Sequence, residues 1–233
     1  MLKKIVITGG DGRFAQILKR DNKKLNILYP NKKELNILDV DSIKRYLKKN
    51  KPQYLIHAAA LSRPMNIHDK QISKSIDLNI IGTANIVKIC SDFKIKLIYF
   101  STGYVYEGSV GNYKETDPVL PVNNYAWSKL GGECAVAMYK HSLILRITMC
   151  EKPFLHEYAF HDINANFIFH EEVVKIIPKI LDKTGVLNIG GKIQSIYSFA
   201  KKTNKNVKKK SGKKLFPKNV SMNVGKLNKI MKW

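Results

Sequence analysis

Apolar and polar positions alternate along this chain in blocks typical of strands and helices that follow one another. Short β-branched apolar runs predict strands over residues 3–8, 25–29, 54–58, 96–100, 142–147 and 186–189. Apolar residues at helical spacing predict helices over residues 12–20, 42–50, 71–91, 125–140, 171–182 and 195–202. Strands separated by amphipathic helices need crossover connections and form a parallel sheet that helices cover on both faces. We therefore predict an α/β fold with a doubly wound parallel sheet.

The pattern is less regular after Thr148. A basic loop is predicted over residues 203–218, and a short apolar return over residues 220–224. The sequence therefore predicts a nucleotide-binding domain over residues 1–148, followed by a small irregular substrate-binding lobe with a basic tail over residues 149–233.

Length and composition narrow the class of protein. A chain of 233 residues with 44% hydrophobic content can bury one substantial core. Its longest apolar stretch, Ile76–Ile89, is interrupted by polar residues and falls short of the roughly 20 residues that a membrane span needs. The chain starts with a strand rather than a secretory leader pattern, so we expect a cytoplasmic protein without a membrane span.

Cysteines and histidines give no sign of a disulfide framework or a metal site. Cys90, Cys134 and Cys150 are odd in number and widely spaced, which predicts buried thiols in a reducing compartment. His156 and His161 are five positions apart, whereas two zinc ligands on one helix face stand four apart. No metal site is predicted.

The formal net charge of +23 raises the question of a nucleic-acid partner. Residues 200–233 contribute 12 lysines and no acid, and Lys208–Lys210 with Lys213–Lys214 could hold phosphates by counterion release. However, this tail offers only Phe216 and Trp233 for base stacking. A solvated lysine-rich surface is therefore favoured over a specific nucleic-acid partner.

A glycine motif follows the first predicted strand directly. Gly9 permits a sharp turn, Gly12 lets the backbone approach phosphates, and Ala15 is small enough for the helix to pack closely on the strand. The pyrophosphate of a dinucleotide binds at such a helix N-terminus, so Arg13 and Phe14 join the predicted cofactor site. The motif predicts a Rossmann-type sheet that binds a nicotinamide dinucleotide.

The end of the second predicted strand bears on the choice of dinucleotide. NAD sites usually carry an Asp or Glu there, whereas this chain reads Pro30-Asn31-Lys32-Lys33. A basic residue at this point favours the 2′-phosphate of NADP, with Lys32 as the candidate contact. Lysine is abundant throughout the chain, so Lys32 alone does not decide the choice. NADP(H) is favoured, and NAD(H) remains the alternative.

Candidate catalytic groups follow later strands. Tyr125 and Lys129 are four residues apart and share one helix face, so the ammonium group can approach the phenol. A nearby positive charge favours the phenolate, which would let Tyr125 exchange a proton near neutral pH. Thr102, after the strand at 96–100, could donate a hydrogen bond to a developing alkoxide.

Taken together, these motifs resemble those of the extended short-chain dehydrogenase/reductases, in the branch that contains the dTDP-4-dehydrorhamnose reductases. The resemblance runs from about residue 2 to residue 202. It rests on the segments Thr8–Ala15, Leu38–Val40, Ile56–Ala60, Asn79–Thr83, Ser101–Tyr106 and Tyr125–Lys129.

The resemblance implies roles for individual residues. Thr102, Tyr125 and Lys129 would be the catalytic set, and Lys129 would also hold the nicotinamide ribose. Further cofactor contacts would come from Asp39, Val40, Ala58, Ala59 and Ala60, and Asn79 would support the active-site helix. Two alternatives remain: Asp39 could simply cap the helix that follows it, and Asn79 could be an amide on a helix surface.

Departures from the family refine the expected reaction. Related dehydratases carry an Asp-Glu pair after the catalytic Thr, and related epimerase/reductases carry a Cys two positions after it. This chain has Gly103 and Tyr104 there, which predicts reduction without dehydration or epimerisation. Tyr104 and Arg63 are candidate substrate contacts, although Arg63 could equally be a surface residue.

The sequence thus predicts an oxidoreductase that uses NADPH to reduce a nucleotide-linked 4-keto-6-deoxy sugar for surface polysaccharide or glycan precursor synthesis. A nucleotide-sugar 4-epimerase with bound NAD is one alternative. A noncatalytic NADP-binding regulatory subunit is another, because a relative of this branch regulates methionine adenosyltransferase. The resemblance also implies a homodimer packed through the helices at 71–91 and 125–140, although Cys90 or Met138 there could equally be core residues.

Overall fold

The computed structural model of the chain describes residues 3–212 and 217–233. Its strands are β1 (Lys4–Thr8), β2 (Asn26–Leu28), β3 (Tyr54–His57), β4 (Lys96–Phe100), β5 (Ser142–Ile147), β6 (Met149–Cys150), β7 (Tyr158–Phe160), β8 (Asn164–Ala165), β9 (Ile168–Phe169), β10 (Gly185–Ile189), β11 (Gln194–Ser195) and β12 (Lys208–Lys210). Its helices are α1 (Arg13–Asp21), α2 (Val40–Asn50), α3 (Ile67–Lys70), α4 (Ile72–Ile76), α5 (Gly82–Asp92), α6 (Asn124–Ala137), α7 (His170–Ile180), α8 (Ile196–Lys201) and α9 (Gly225–Met231). A π-helical turn, Asp77–Ile81, joins α4 to α5, and a 3₁₀ turn spans Gly103–Val105.

Six strands form the central sheet, in the order β10-β5-β4-β3-β1-β2. Every neighbouring pair is parallel. The connections reverse direction between β1 and β3, and ligands of such sheets bind beyond the carboxyl ends of the strands at this point. The α/β doubly wound fold expected from the sequence is confirmed.

Both faces of the sheet are covered by apolar side chains. Ile5 and Ile7 in β1 point to the side of α1 and α7, whereas Val6 points to the side of α2 and α5, where it packs with Ile43 and Ile86. All five side chains are essentially inaccessible to solvent. Burying such a side chain contributes about 1.5–3 kcal/mol each. The two covered faces hold the carboxyl ends of the strands rigidly at one edge.

The predicted helix over 71–91 is helical in the structure but not uniform. A turn of π-helix at Asp77–Ile81 separates α4 from α5. Such a turn inserts one residue into the helical repeat and is frequent at functional sites.

The C-terminal part differs from the prediction in two places. The basic loop predicted over 203–218 contains β12, which pairs in parallel with β7. In the apolar segment predicted over 220–224, Met222 makes an isolated bridge to Tyr113. Helix α9 was not predicted, and it packs Leu227 on the core.

Strand β12 forms despite its lysine-only sequence because pairing uses backbone groups. Its three side chains are exposed, and Lys208 and Lys210 have their ammonium groups 5.7 and 6.0 Å from the Tyr158 ring centroid. Each lysine can therefore pack on an aromatic ring while its charge stays in water. Lys213, Lys214 and Phe216, which also belong to the expected basic tail, lie outside the described residues.

The predicted domain boundary at residue 148 remains a prediction. Beyond it, β6 pairs with β9, and β8 pairs with β11. Strand β10, which precedes β11 in the chain, pairs with β5 of the central sheet.

Two expectations about side chains changed. Cys90 and Cys150 are buried as expected, but Cys134 is exposed on α6, so the expectation of three buried thiols was wrong. Cys90 belongs to the core, whereas Met138 is 86% exposed. No helix among the described residues is long and apolar enough to cross a bilayer.

Candidate active site

The glycine turn connects β1 to α1 at the carboxyl edge of the sheet. Gly9 has a φ of 70°, and a Cβ there would lie 3.0 Å from the Cα of Ala59, so the turn touches the loop after β3. The amide of Gly12 donates to the carbonyl of Gly9 at 2.8 Å. No side chain caps α1, so its first-turn amides remain suited to an anion. These features fit the diphosphate of a dinucleotide.

Neighbouring residues of the motif play different parts. A Cβ on Gly10 would lie 2.4 Å from the carbonyl oxygen of Tyr29, a packing requirement that the sequence did not reveal. The Phe14 ring is buried edge-on against Phe100, with ring centroids 4.9 Å apart. Phe14 is therefore a core residue that could face a ligand only through its backbone.

Of the other predicted cofactor residues, the alanines after β3 have a contact to β1. Ala59 donates its amide to the Thr8 hydroxyl at 3.1 Å, and this ties the loop of Ala58, Ala59 and Ala60 to β1. Lys32 is exposed in the turn after β2. Val40 begins α2, directly after Asp39.

Asp39 caps α2. Its carboxylate accepts from the amides of Asp41 and Ser42 at 2.9 and 3.0 Å. Such a cap contributes about 1 kcal/mol of helix stability. The alternative of a capping role is confirmed, and a contact to the adenine remains a prediction.

The predicted catalytic residues converge from two elements. Thr102 follows β4 and caps the 3₁₀ turn by accepting from the Tyr104 amide at 3.2 Å. Tyr125 lies in the first turn of α6, where Asn123 caps the helix by accepting from the Ala126 amide at 2.8 Å. The Thr102 hydroxyl is close enough to the Tyr125 phenol to lower its pKa.

Burial raises the pKa of Tyr125 to about 12, although the hydrogen bond from Thr102 and the charge of Arg63 oppose the rise. The expectation that Lys129 brings the phenol toward neutrality was therefore wrong for this state of the protein. Loss of solvation outweighs the favourable interactions of the phenolate, so Tyr125 keeps its proton at neutral pH.

Lys129 lies one turn further along α6. Its ammonium nitrogen is 4.2 Å from the centroid of the Tyr99 ring, and the side chain is buried. Burial lowers the pKa of Lys129 to about 7, against an opposing effect of Glu133. The Tyr99 hydroxyl donates to the Lys129 carbonyl at 3.0 Å. Lys129 is therefore a cation that easily loses its charge and lies over the Tyr99 ring.

Asn79 connects the π-helical turn to the catalytic helix. Its amide nitrogen donates to the Ser128 hydroxyl at 2.8 Å, and Ser128 in turn donates to the carbonyl of Tyr125 at 2.7 Å. Asn79 also exchanges hydrogen bonds with the backbone of Leu61, at 2.8 and 2.9 Å. Because Asn79 is fully buried, the alternative of a helix-surface amide is wrong.

A buried ion pair underlies the catalytic turn. Arg146 in β5 donates to the carboxylate of Glu133 in α6, with a shortest distance of 2.5 Å. The Ser101 hydroxyl donates to the same carboxylate at 2.6 Å, and Arg146 donates to the Tyr106 hydroxyl at 2.9 Å. Sequence reasoning missed Glu133, although it stands four residues after Lys129 and eight after Tyr125, on the same helix face.

The predicted substrate residues, Tyr104 and Arg63, both interact electrostatically with Tyr125. Burial, reinforced by the negative charge that Tyr125 can carry, raises the pKa of Tyr104 to about 12. Arg63 contacts both oxygens of Glu151, at 3.1 and 3.0 Å. Arg63 is half-buried and engaged by Glu151, and its contact with a substrate remains a prediction. Glu151 was missed because its partners are distant in sequence.

Comparison with known proteins places the chain in a family. The family model described as the RmlD substrate binding domain matches residues 3–151. Among curated proteins, methionine adenosyltransferase 2 subunit beta of Xenopus laevis is 32% identical over 143 residues, which are 58% of this chain and 42% of the relative. The dTDP-4-dehydrorhamnose reductase of Aggregatibacter actinomycetemcomitans is 28% identical over 150 residues, which are 62% of this chain and 51% of the relative. The chain spans about half the length of the curated relatives that it matches.

Solved structures show the same fold. The dTDP-4-dehydrorhamnose reductase of Bacillus anthracis, in complex with NADP, matches with a TM-score of 0.87 at 22% identity, over 98% of this chain and 91% of that one. The Bordetella bronchiseptica enzyme WbmG, in complex with NAD, matches with a TM-score of 0.79 at 18% identity, over 100% and 89%. Because the family model covers well over half of the chain, this protein belongs to the RmlD substrate-binding-domain family, as its motifs indicated.

Proposed function

We propose that this protein is an NAD(P)-dependent oxidoreductase that reduces a nucleotide-linked 4-keto-6-deoxy sugar, as a dTDP-4-dehydrorhamnose reductase would. The observation that carries the proposal is the convergence of Thr102, at the end of β4, with Tyr125, in the first turn of α6, where Thr102 is close enough to lower the pKa of the phenol. Lys129 lies one helical turn further along α6. These groups lie at the same sheet edge as the glycine turn. The reductase relative and the reductase structures support this substrate class.

The cofactor would lie along the switch point. Gly9 and Gly12 would leave room for its diphosphate, and the amides of α1 would bind it. When bound, the reduced nicotinamide would supply a hydride. Lys32 supports NADPH over NADH by its position after β2, while relatives of known structure contain NADP in one case and NAD in another.

The chain's own residues would handle the carbonyl oxygen of the sugar. Thr102 would donate a hydrogen bond that orients this oxygen, and Tyr125 would give it a proton as negative charge develops. A phenol with a pKa of about 12 is protonated at neutral pH, as a proton donor must be. Lys129 would hold the nicotinamide ribose and supply positive charge behind the phenol.

Reduction without epimerisation is supported by the state of Cys150. This thiol is close enough to Tyr104 to influence its pKa, yet burial raises the pKa of Cys150 itself to about 12. A thiol that remains protonated at neutral pH is a poor base for removing a proton beside a carbonyl.

The proposal extends to assembly and location. Exposed apolar side chains on the helices at 71–91 and 125–140, among them Ile76, Ile81 and Trp127, support a homodimer through these helices. We also expect a cytoplasmic location and no specific nucleic-acid partner.

The deciding experiment is a screen of 4-keto nucleotide sugars for oxidation of NADPH, combined with dissociation constants for NADPH and NADH. We expect turnover with a 4-keto-6-deoxy sugar and tighter binding of NADPH. Tight copurifying NAD would instead favour the 4-epimerase. NADPH binding without turnover of any keto sugar would favour the regulatory alternative, which the similarity to methionine adenosyltransferase 2 subunit beta supports.

The ionisation of Lys129 predicts a pH dependence. Its ammonium is charged below a pKa of about 7 and neutral above it, so kcat/KM should fall as pH rises through 7. Tyr125 stays protonated between pH 5 and pH 10, so it adds no second inflection to the pH profile of kcat/KM. The measurement is kcat/KM for the keto sugar from pH 5 to 10. Lys129→Arg is the control, since a guanidinium stays charged and should remove the limb. A wild-type profile that is flat to pH 9 would contradict the assignment.

A further inference from the structure

Two arginines from different loops meet one carboxylate at the carboxyl edge of the sheet. Arg13 begins α1, directly after the glycine turn, and Arg63 follows β3. Glu151 follows β6. Its Oε1 lies 3.1 Å from the Nη1 of Arg13 and 3.1 Å from the Nη1 of Arg63, and its Oε2 lies 3.0 Å from the same Arg63 nitrogen. The carboxylate thus joins three segments that border the crevice.

The cluster is partly withdrawn from water. The side chain of Glu151 is 18% exposed, whereas those of Arg13 and Arg63 are 50% and 34% exposed. Burial alone would raise the pKa of Glu151, but its own amide, Arg63 and Arg13 hold it below the usual range. The carboxylate is therefore ionised at neutral pH.

Charge at this point is unbalanced. Two guanidinium groups face a single carboxylate, which leaves one positive charge without a full counterion. A diphosphate bridge carries one negative charge on each phosphate, and guanidinium groups bind phosphate oxygens in the same forked geometry as carboxylates. A diphosphate would match the two arginines charge for charge.

We propose that Arg13 and Arg63 form a diphosphate-binding pair, and that Glu151 is the resident carboxylate that an organic diphosphate displaces. The proposal rests on the proposed function, because it assigns a ligand class to two arginines of that site. The diphosphate has two candidate sources, the dinucleotide and the nucleotide sugar. Both present the same chemistry to the guanidinium groups.

Removing the charge of Glu151 tests the displacement directly. Glu151→Gln keeps the shape of the side chain but no longer competes as an anion, so inorganic diphosphate should bind about tenfold tighter than to the wild type. The measurement is the dissociation constant by calorimetry at fixed salt. Glu157→Gln is the matched control, since it removes one negative charge from an exposed carboxylate that pairs with Lys208. This control should change the affinity far less.

Two further arms identify the source. Tighter binding of NADPH to Glu151→Gln assigns the pair to the dinucleotide, and tighter binding of thymidine diphosphate assigns it to the nucleotide sugar. Arg63→Gln should weaken the binding of inorganic diphosphate at least about fivefold, and it decides the question if Glu151→Gln does not fold.

The proposal is overturned if a folded Glu151→Gln binds inorganic diphosphate no more tightly than the wild type, or if Arg63→Gln binds it as tightly as the wild type. If either result is found while the wild type still binds NADPH, only this inference fails. If the wild type binds neither NADPH nor thymidine diphosphate, the proposed function fails, and the inorganic diphosphate arm still decides the role of Glu151.

Discussion

Replacing Tyr125 with Phe is expected to lower kcat/KM for the keto sugar by about 10²–10⁴-fold, the range typical of a lost general acid. The phenol carries the proton that the carbonyl oxygen must receive, and it is the group that Thr102 contacts. The aromatic ring remains in the variant and can still pack on His68, whose ring centroid is 5.1 Å away. The dissociation constant of NADPH should therefore change little.

Steady-state kinetics with NADPH and a 4-keto-6-deoxy nucleotide sugar measure this effect, and fluorescence titration measures NADPH binding. Tyr139→Phe is the matched control. Tyr139 lies just beyond the end of α6, and its hydroxyl lies 3.2 and 3.1 Å from the carbonyl oxygens of Cys90 and Ile95, to which it can donate. This control should keep the wild-type kcat/KM. Wild-type kcat/KM in Tyr125→Phe would refute the role of Tyr125.

Local patterns were sufficient to predict the central sheet. Strands β4 and β5 begin and end where the apolar runs do, at Lys96–Phe100 and Ser142–Ile147. Both are buried along their whole length, and apolar residues dominate both sequences although β5 also carries Arg146. Nearly all of the fold that positions the site could therefore be predicted from short segments.

The π-helical turn could not be predicted in the same way. Apolar spacing in residues 71–91 fits a regular helix, whereas the inserted residue of Asp77–Ile81 only becomes apparent through the tertiary contacts of Asn79. Those contacts, to Ser128 and to the backbone of Leu61, join segments far apart in the chain.

Long-range charge pairing was also beyond single-sequence reasoning. Glu151 pairs with Arg63, which stands 88 positions earlier. No local pattern distinguishes this acid from one in water. Glu133 is different, because a helical wheel places it on the face of Tyr125 and Lys129 and could have marked it as a buried acid.

Breaking the buried ion pair should have the largest effect on stability. We expect Arg146→Leu to lower the free energy of unfolding by about 3–5 kcal/mol, because it leaves the carboxylate of Glu133 buried without the guanidinium group that it contacts. The side chains of Arg146 and Glu133 are only 7% and 6% exposed. Ser101 would remain as a hydrogen-bond donor to Glu133, but a hydroxyl carries no charge. Urea denaturation followed by circular dichroism measures the change.

Two comparisons separate the buried charge from other causes. In the double variant Glu133→Leu with Arg146→Leu, neither member of the ion pair is left buried without the other, so most of the lost stability should return. Arg20→Leu removes an arginine from an exposed pair with Asp21 and should cost much less than Arg146→Leu. If Arg146→Leu cost no more than Arg20→Leu, the buried pair would not stabilise the fold. Ser101 precedes Thr102, and Glu133 follows Lys129 on α6, so the ion pair lies next to the catalytic groups. If the double variant regains stability but not kcat/KM, the pair also positions these groups.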